Sequence, residues 1–448
     1  METKKKRVLV VGHGAREHAI VKAFLKSGAT VFAYMEANNP FSKLCEKVRI
    51  GRYSDFGAVL QFVQENSVDF VFIGPEGPLE MGIVDFLESH NISCIGPSKD
   101  VALVETSKIF SRKLMKDHGI FGCPEFWVVK DECQLQNVFL YHHEAPFVIK
   151  PDGLTGGKGV QVEGDHFHDT ESAMKVAHEY IKKDGRVLIE RMLDGEEFVI
   201  LFFCDGKTLV PMPVIRDYKR RFVDDEGLNT GSMGSYSCID HSLPYLQHSD
   251  IKQAVDIAQK TVLALFEKLG TLYKGILYGS FIATENGVQV IEWNARFGDP
   301  ECINVLSLLE TDFVEICQAI IDGTLHELHI KFAEKYTVCK YIVPTNYALA
   351  EDDSNRLTPG FSDIIEIGDI GEAQLFYSSV FEDEDGLHMT SSRCLAVMGV
   401  AQTIEQAERI AEEAACSVSG NVSHRSDIGT CVLIDKSITH MYSIRAFG

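Results

Sequence analysis

The 448-residue sequence has no run of 18 or more consecutive apolar residues, so it predicts no membrane-spanning helix. Basic residues are scarce relative to acidic ones, with 43 Lys and Arg against 65 Asp and Glu, and the net charge is -22. This balance argues against a nucleic-acid or membrane-surface partner, since both favour basic patches. An acidic protein can still bind phosphorylated small molecules where lysines, arginines and metal ions gather in one cleft.

Several other signals are also lacking. The twelve cysteines show no C-x-x-C spacing, which is typical of reduced thiols in a cytoplasmic protein. The basic segment 1–7 is followed by an apolar stretch too short for a signal peptide. The histidines form no metal-ligand pattern, and no G-x-S-x-G nucleophile motif occurs. We therefore expect a cytoplasmic protein with neither a histidine metal site nor a serine nucleophile of that type.

The order of apolar segments predicts several domains of mixed α and β structure. A chain of 448 residues is long enough for about three or four domains. Short apolar strands alternate with helical patterns up to about residue 100, beginning with a strand at Arg7–Gly12 and a helix at Ala15–Ser27. This alternation predicts a doubly wound parallel sheet, and the mixed strands and helices that follow predict α+β lobes.

The segment Ile291–Glu301 (IEWNARFGDPE) combines a predicted strand with three polar side chains. Residues two apart on a strand share a face, so Glu292, Asn294 and Arg296 would project together. A carboxylate beside an amide carbonyl offers the hard oxygen ligands that Mg²⁺ prefers, and arginine adds a planar fork suited to phosphate or carboxylate. The structural alternative is a half-buried strand with a solvated polar edge.

The segment Lys150–Val160 (KPDGLTGGKGV) brackets a glycine-rich loop with two lysines. Glycines allow the backbone to approach a triphosphate, which Lys150 and Lys158 would neutralise. The segment is not a Walker A loop, because Asp152 stands in place of the first glycine and Gly159 in place of the Ser/Thr. An ordinary glycine hairpin with solvated lysines is the alternative.

The first predicted strand is followed by Gly12–His18 (GHGAREH) at a strand-to-helix turn. Such a turn presents free backbone N–H groups and the positive end of a helix, which favour an anion. Glu36 lies at about the distance of a ribose contact in a dinucleotide fold, but Glu17 replaces the third glycine of G-x-G-x-x-G. We therefore favour a phosphate site for another substrate over a nicotinamide site.

Two further segments carry polar residues that suit a ligand. Glu190–Glu197 (ERMLDGEE) turns from one predicted strand into the next, and its carboxylates could accept hydrogen bonds from adenine and ribose. Arg216–Gly234 concentrates charge and glycine in a predicted long loop, and such loops are often functional. A solvated turn and a mobile surface loop are the respective alternatives.

The order and spacing of these segments resemble the ATP-grasp ligases, and within them the phosphoribosylamine–glycine ligases (glycinamide ribonucleotide synthetases). The resemblance runs through nearly the whole chain. Its motifs are VLVVGHGAREHAI, IGPEGPL, IGPSK with ETSKIF, KPDGLTGGKGV, the segment 217–234, IEWNARFGDPE and HRSDIG. It implies an α/β and α+β multidomain fold with a Rossmann-like N-terminal domain at 1–105. An ATP-grasp domain would follow at 106–323, with a smaller ATP-covering lobe at about 124–192, and then a small mixed α/β domain at 324–448.

The resemblance also implies roles for individual residues. ATP would be bound by Lys108, Lys150, Gly156, Gly157, Lys158, Glu190 and Glu197. Mg²⁺, with Mn²⁺ as a substitute, would be held by Glu292 and Asn294. The catalytic side chains would be Asp217, Lys219 and Arg296. The substrates would contact Gly14, Arg16, Glu17, Asn229, Thr230, Gly231 and Arg296.

The implied activity is the ATP-dependent joining of glycine to 5-phosphoribosylamine in purine biosynthesis, through a glycyl phosphate, with release of ADP and phosphate. The implied partners are these small molecules, without nucleic acid or membrane, and the implied state is a monomer or weak homodimer. Positions that depart from the family's pattern leave the exact acid and amine open; they include His13, Ala15, Tyr218, Leu228 and Ser232. The alternatives are a ligase for another acid or amine and a non-catalytic nucleotide-binding relative.

Overall fold

The computed structural model describes residues 5–142, 146–156, 159–349, 353–358 and 360–446. Its first part is a five-stranded parallel sheet in the order β3-β2-β1-β4-β5. The strands are β1 (Arg7–Val11), β2 (Thr30–Met35), β3 (Lys47–Ile50), β4 (Phe70–Ile73) and β5 (Cys94–Ile95). The helices between them are α1 (Ala15–Lys26), α2 (Phe56–Glu65), α3 (Glu76–Met81) and α4 (Ile83–Ser89). All four valine and leucine side chains of β1 are fully buried, which explains its continuous apolar sequence.

Two consecutive helices, α5 (Lys99–Thr106) and α6 (Lys108–Asp117), lead from this sheet to a smaller lobe. The lobe contains a four-stranded antiparallel sheet in the order β6-β9-β7-β8. Its elements are β6 (Phe126–Val129), α7 (Glu132–Tyr141), β7 (Phe147–Pro151), β8 (Gln161–Val162), α8 (Thr170–Asp184) and β9 (Val187–Arg191). A hydrophobic cluster of its own, which includes Leu135, Phe147 and Ile189, fills the lobe.

The following segment forms a second antiparallel sheet, β11-β10-β14-β15, and a separate hairpin. Its strands are β10 (Glu196–Cys204), β11 (Leu209–Pro211), β12 (Arg216–Phe222), β13 (Glu226–Ser237), β14 (Gly275–Thr284) and β15 (Gly287–Asn294). Its helices are α9 (His248–Leu269), α10 (Glu301–Leu308) and α11 (Phe313–Asp322). The described residues also include short 3₁₀ helices at Pro40–Leu44, Val223–Asp225 and Leu325–Glu327.

The C-terminal residues extend that hairpin into a larger sheet in the order β12-β13-β16-β21-β18, with β23 beside β16. A smaller sheet has the order β19-β20-β17-β22. The strands are β16 (Tyr336–Pro344), β17 (Asp363–Ile367), β18 (Gln374–Tyr377), β19 (Val380–Asp383), β20 (Gly386–Met389), β21 (Leu395–Ala401), β22 (Val418–Ser419) and β23 (Val422–Ser423). The helices are α12 (Ile404–Cys416) and α13 (Cys431–Ala446). The predicted fold class is confirmed, and no helix among the described residues is long and apolar enough to cross a membrane.

The prediction of a long loop at 216–234 is wrong, because these residues form the hairpin of β12 and β13. The other edge of β13 pairs with β16, so the hairpin lies inside a sheet. A Cβ atom built at Gly234 would lie 2.2 Å from the main-chain oxygen of Cys339. Glycine here allows two strands to approach closely, and the sequence pattern alone does not distinguish that use from a loop.

Candidate active site

Strand β15, which carries the predicted metal ligands, contains a β-bulge at Ile291. Val290 and Glu292 pair with consecutive residues of β14, so Ile291 is the extra residue. The bulge shifts the alternation of side chains by one position. Val290 and Trp293 are therefore both buried in the core, whereas Glu292 and Asn294 share the opposite face. Without the bulge, the two predicted ligands would lie on the apolar face.

Four cationic side chains from different elements surround Glu292: Lys108 at the start of α6, Lys150 on β7, Lys219 on β12 and Arg296 after β15. The Lys219 Nζ lies 3.9 Å from a Glu292 oxygen. Burial opposes ionisation of Glu292, but the charges of these cations outweigh it and lower its pKa. Glu292 is therefore an ionised carboxylate. Its side chain is 33% exposed, which leaves room for a further ligand.

A second carboxylate in this region, Glu190, is bound directly by protein cations. Arg112 donates to both of its oxygens, at 2.6 and 3.2 Å, and Lys150 Nζ donates to it at 2.7 Å. Burial opposes ionisation, but Arg112 and Lys150 prevail and lower the pKa of Glu190 to about 2. Arg112 also donates to the bulged Ile291 carbonyl at 2.6 Å. Glu190 thus fixes the position of Lys150, and its predicted contact with adenine stays a prediction.

The start of the glycine-rich loop is attached to helix α6. Lys108 Nζ donates to the Gly153 carbonyl at 2.7 Å. The Asp152 carboxylate accepts hydrogen bonds from the Ser107 hydroxyl at 3.0 Å and from the Ile109 N–H at 3.1 Å. The residue that replaces the Walker A glycine therefore joins the loop to the helix that carries Lys108.

The remaining predicted ATP contacts are less constrained. Gly156 has a φ of +58°, and among the described residues considered no heavy atom lies within 4 Å of the position that a Cβ atom would take. Gly157 and Lys158 lie outside the described residues. Glu197 accepts a hydrogen bond from Arg216 at 2.7 Å through its main-chain carbonyl.

The first strand-to-helix turn is closed by Glu17. Its carboxylate accepts the Gly14 N–H at 2.7 Å and the Arg16 Nε–H at 2.7 Å. A Cβ atom at Gly12 would lie 2.3 Å from the Glu17 side chain, so the glutamate folds over that glycine. Arg16 also donates to the Phe297 carbonyl at 3.1 Å, which joins this turn to the segment after β15.

Arg296 lies beyond the end of β15 and is held by protein acceptors. Its Nε is 3.2 Å from Glu76, and its Nη2 is 3.0 Å from Glu105 and 3.4 Å from the Asn294 amide oxygen. Burial raises the pKa of Glu105 to about 7, whereas Arg296 and Arg16 outweigh burial and lower that of Glu76 to about 2. Two glutamates thus share the Arg296 charge, and its predicted role at the reacting groups stays a prediction.

Asp217 and Glu301 form a pair of buried carboxyl groups beside Lys219. Burial raises the pKa of Asp217 to about 6, and burial together with the Asp217 charge raises that of Glu301 to about 7. The Tyr278 hydroxyl donates to Glu301 at 2.9 Å. Within the part of the chain that the structure describes, the buried Oδ1 of Asp217 has no hydrogen-bond partner. A buried acceptor without a partner is suited to a ligand that donates a hydrogen bond.

The three predicted substrate residues of β13 differ in their contacts. The Thr230 hydroxyl donates to the Lys219 carbonyl at 2.7 Å, and the Gly231 carbonyl accepts from Arg393 at 2.9 Å. Asn229 is half-buried and lies opposite Arg220 in the hairpin. Two of the three therefore support the hairpin in this structure.

Sequence reasoning missed several residues of the site, chiefly Arg112, Glu105, Glu301 and Arg393. Arg112 follows Lys108 by four residues on α6, so helical spacing could have placed both on one face. Glu301 ends the quoted RFGDPE motif and was not assigned a role. Glu105 begins the ETSKIF motif but was given no role, whereas Arg393 had no signal in the sequence because it reaches the site only through tertiary packing.

Comparisons with known proteins agree over nearly the whole chain. Residues 6–105 match the family "phosphoribosylglycinamide synthetase, N domain", and residues 106–302 match "phosphoribosylglycinamide synthetase, ATP-grasp (A) domain". The phosphoribosylamine–glycine ligase of Methanosarcina barkeri is 42% identical over 98% of this chain and 100% of that protein. The enzyme of the same name from Methanocaldococcus jannaschii is 44% identical, with the same coverage.

Solved structures show the same fold. A phosphoribosylamine–glycine ligase from Thermotoga maritima superimposes with a TM-score of 0.77 at 28% identity, over 94% of this chain and 99% of that one. The biotin carboxylase domain of 2-oxoglutarate carboxylase from Hydrogenobacter thermophilus, solved with MgADP and bicarbonate, has a TM-score of 0.68 at 16% identity. It covers 98% of this chain and 94% of its own, and at this identity it supports the fold alone.

Proposed function

The chain belongs to the phosphoribosylglycinamide synthetase family, and on that basis we propose that it joins glycine to 5-phosphoribosylamine. The products would be glycinamide ribonucleotide, ADP and phosphate. We further propose that it acts in the cytoplasm, which agrees with twelve free thiols. Its partners would be these small molecules.

One observation of the structure carries the proposal: cationic side chains from four segments of the described chain lie near the ionised Glu292, two of which, Lys150 and Arg296, are also paired with Glu190 and Glu76. Such a gathering of cations in a protein with net charge -22 suits a triphosphate. Phosphoryl transfer needs positioning and neutralisation of charge more than covalent chemistry by the protein. Lys108, Lys150 and Lys219 would supply that neutralisation.

The donors on β15 fit a magnesium ion. Glu292 is ionised and partly exposed, and the Asn294 amide oxygen lies on the same face. Carboxylate and amide oxygens are hard ligands of the type that Mg²⁺ takes together with substrate phosphates. When bound there, the ion would neutralise charge on the phosphates. The side chains of Glu292 and Asn294 would hold it beside strand β15.

In the proposed reaction, a glycine carboxylate oxygen attacks the γ-phosphorus of ATP and ADP leaves. The phosphoribosylamine nitrogen then attacks the acyl carbon of the glycyl phosphate. The bond between that carbon and the phosphate oxygen breaks, and phosphate leaves with the electron pair. The amine loses one proton in this step. Asp217 is suited to accept it, because its Oδ1 has no hydrogen-bond partner among the described residues and burial raises its pKa to about 6. Lys219 would stabilise the negative charge of the transferred phosphoryl group.

The proposal is tested by measuring ADP and phosphate release with ATP, glycine and freshly prepared phosphoribosylamine, omitting each in turn. We expect release only when all three are present, together with formation of the amide product by mass spectrometry. Phosphate release that is independent of glycine but responds to another acid would contradict the proposal. That result would favour the alternative of an ATP-grasp ligase with a different acid or amine.

A further inference from the structure

The end of helix α12 brings three side chains of different chemistry together on the larger C-terminal sheet. These are Glu412, Cys416 and His424, and one potential ligand atom from each lies within 4.8 Å of the other two. We propose that they form a binding site for a thiophilic divalent transition-metal ion of the zinc class. The site is separate from the Glu292 carboxylate and its cations.

Two of the donor-to-donor distances are close to those expected around a tetrahedral ion. His424 Nε2 is 3.1 Å from Glu412 Oε1, and Cys416 Sγ is 3.6 Å from the same oxygen. Bonds of about 2.0–2.3 Å to a tetrahedral ion place neighbouring donor atoms about 3.3–3.7 Å apart. Glu412 and Cys416 are four residues apart and share one face of α12, so the helix already presents two of the ligands together.

A buried lysine orients the carboxylate. Lys340 is fully buried, and its Nζ donates to Glu412 Oε2 at 2.5 Å, to Glu408 at 2.7 Å and to the Ser426 carbonyl at 2.8 Å. Oε2 is therefore held by the lysine, and Oε1 is left to face the cysteine and histidine. Metal-binding carboxylates are commonly fixed by such a second hydrogen bond. Lys340 carries one positive charge and Glu408 and Glu412 carry two negative charges, so the three side chains together have a net charge of −1.

The ligands also differ in exposure in a way that allows an ion to enter. Cys416 is exposed, while the side chains of Glu412 and His424 are 28% and 17% exposed. A fourth position facing solvent could be filled by water. A bound ion would connect α12 to the segment after β23. The next residue there, Arg425, is buried, pairs with Asp225 at 2.7 Å and so contacts the hairpin region.

The proposal is tested with Co²⁺, whose spectrum reports ligand type. The full-length protein, prepared free of metal and reduced, is titrated with Co²⁺. We expect one ion per chain, with a thiolate-to-cobalt band in the near ultraviolet, tetrahedral bands in the visible, and loss of both on adding Zn²⁺. Cys416→Ser should abolish the thiolate band, and His424→Ala should remove the tetrahedral spectrum.

Cys431→Ser is the matched control, because Cys431 is also exposed and its Sγ lies 3.3 Å from a glutamate, Glu405. It should leave the cobalt spectrum unchanged. The proposal is overturned if the wild-type protein gives no thiolate band, if the band survives Cys416→Ser, or if His424→Ala retains the full spectrum. Circular dichroism of each variant shows whether it is folded. If His424→Ala is unfolded, the result for Cys416→Ser alone decides whether the proposed metal site exists.

Discussion

Glu190 is a buried carboxylate and Glu292 a partly exposed one, and the two differ in how they interact with nearby cations although Lys150 acts on both. Glu190 is bound at 2.6 and 2.7 Å by Arg112 and Lys150, and its side chain is 4% exposed. Glu292 has Lys219 at 3.9 Å and a side chain that is 33% exposed. The first arrangement uses the carboxylate's acceptor sites inside the protein, whereas the second leaves them available to a ligand.

The difference shows that proximity of charge does not by itself mark a binding residue. Both glutamates have lowered pKa values, because cations outweigh the effect of burial in each case. What separates them is whether the cations touch the carboxylate. Glu190 therefore serves as the anchor of the cation cluster, and Glu292 faces the position where a ligand would bind.

The largest expected effect is on stability, from Glu190→Gln. Removing this charge leaves Arg112 and Lys150 buried without their shared partner, and breaking a buried ion pair in this way costs about 3–5 kcal/mol. Urea denaturation of the variant and the wild-type protein measures the loss. An unchanged midpoint would mean that Glu190 is not the anchor of the cluster.

Glu292→Ala should have the opposite profile. We expect a fall in kcat of about 100-fold or more, because the proposed magnesium ion, which would neutralise charge on the phosphates, loses its carboxylate ligand. Its stability in urea should change much less than that of Glu190→Gln, since the ion pair of Glu292 within the described residues, with Lys219, is 3.9 Å long. Near-normal turnover in the ligase assay would refute its assignment as a metal ligand.

A smaller effect is expected from Arg112→Lys. Lysine keeps the charge but cannot donate to both Glu190 oxygens and to the Ile291 carbonyl, as arginine does. Loss of such charge-assisted hydrogen bonds costs about 1.5–3 kcal/mol. Urea midpoints test this, and a variant as unstable as Glu190→Gln would show that Arg112 contributes more than geometry.

The last expected effect is a dependence of stability on pH. Glutamate has a pKa of about 4.3 in unfolded chains, and the folded pKa of Glu190 is about 2. Its ionised form therefore stabilises the fold above about pH 4.3, and this contribution is lost as pH falls towards 2. The stability difference between the wild-type protein and Glu190→Gln should be constant above about pH 5 and shrink below it. A difference that grows in acid would reverse the sign of the proposed shift.

Much of the fold was readable because it depends on local patterns. The strand and helix predicted at Arg7–Gly12 and Ala15–Ser27 correspond to β1 and α1 within a residue or two. The hairpin at 216–237 was missed, because its glycines have a role that exists only against β16. The sequence also predicted no histidine metal site, because His424 lies outside the helix that carries Glu412 and Cys416 and reaches them only in the fold.

The sequence alone determined the family of the chain and the residue types available at the candidate site. It could do so because motifs such as KPDGLTGGKGV and IEWNARFGDPE are continuous in the chain. Tertiary structure decided how those residues are used. Pairing with β14 places the bulge at Ile291 and so turns Glu292 and Asn294 away from the core. Packing brings Glu76 and Glu105 to Arg296. Strand pairing and ion pairing join residues far apart in the chain, so no local pattern could specify them.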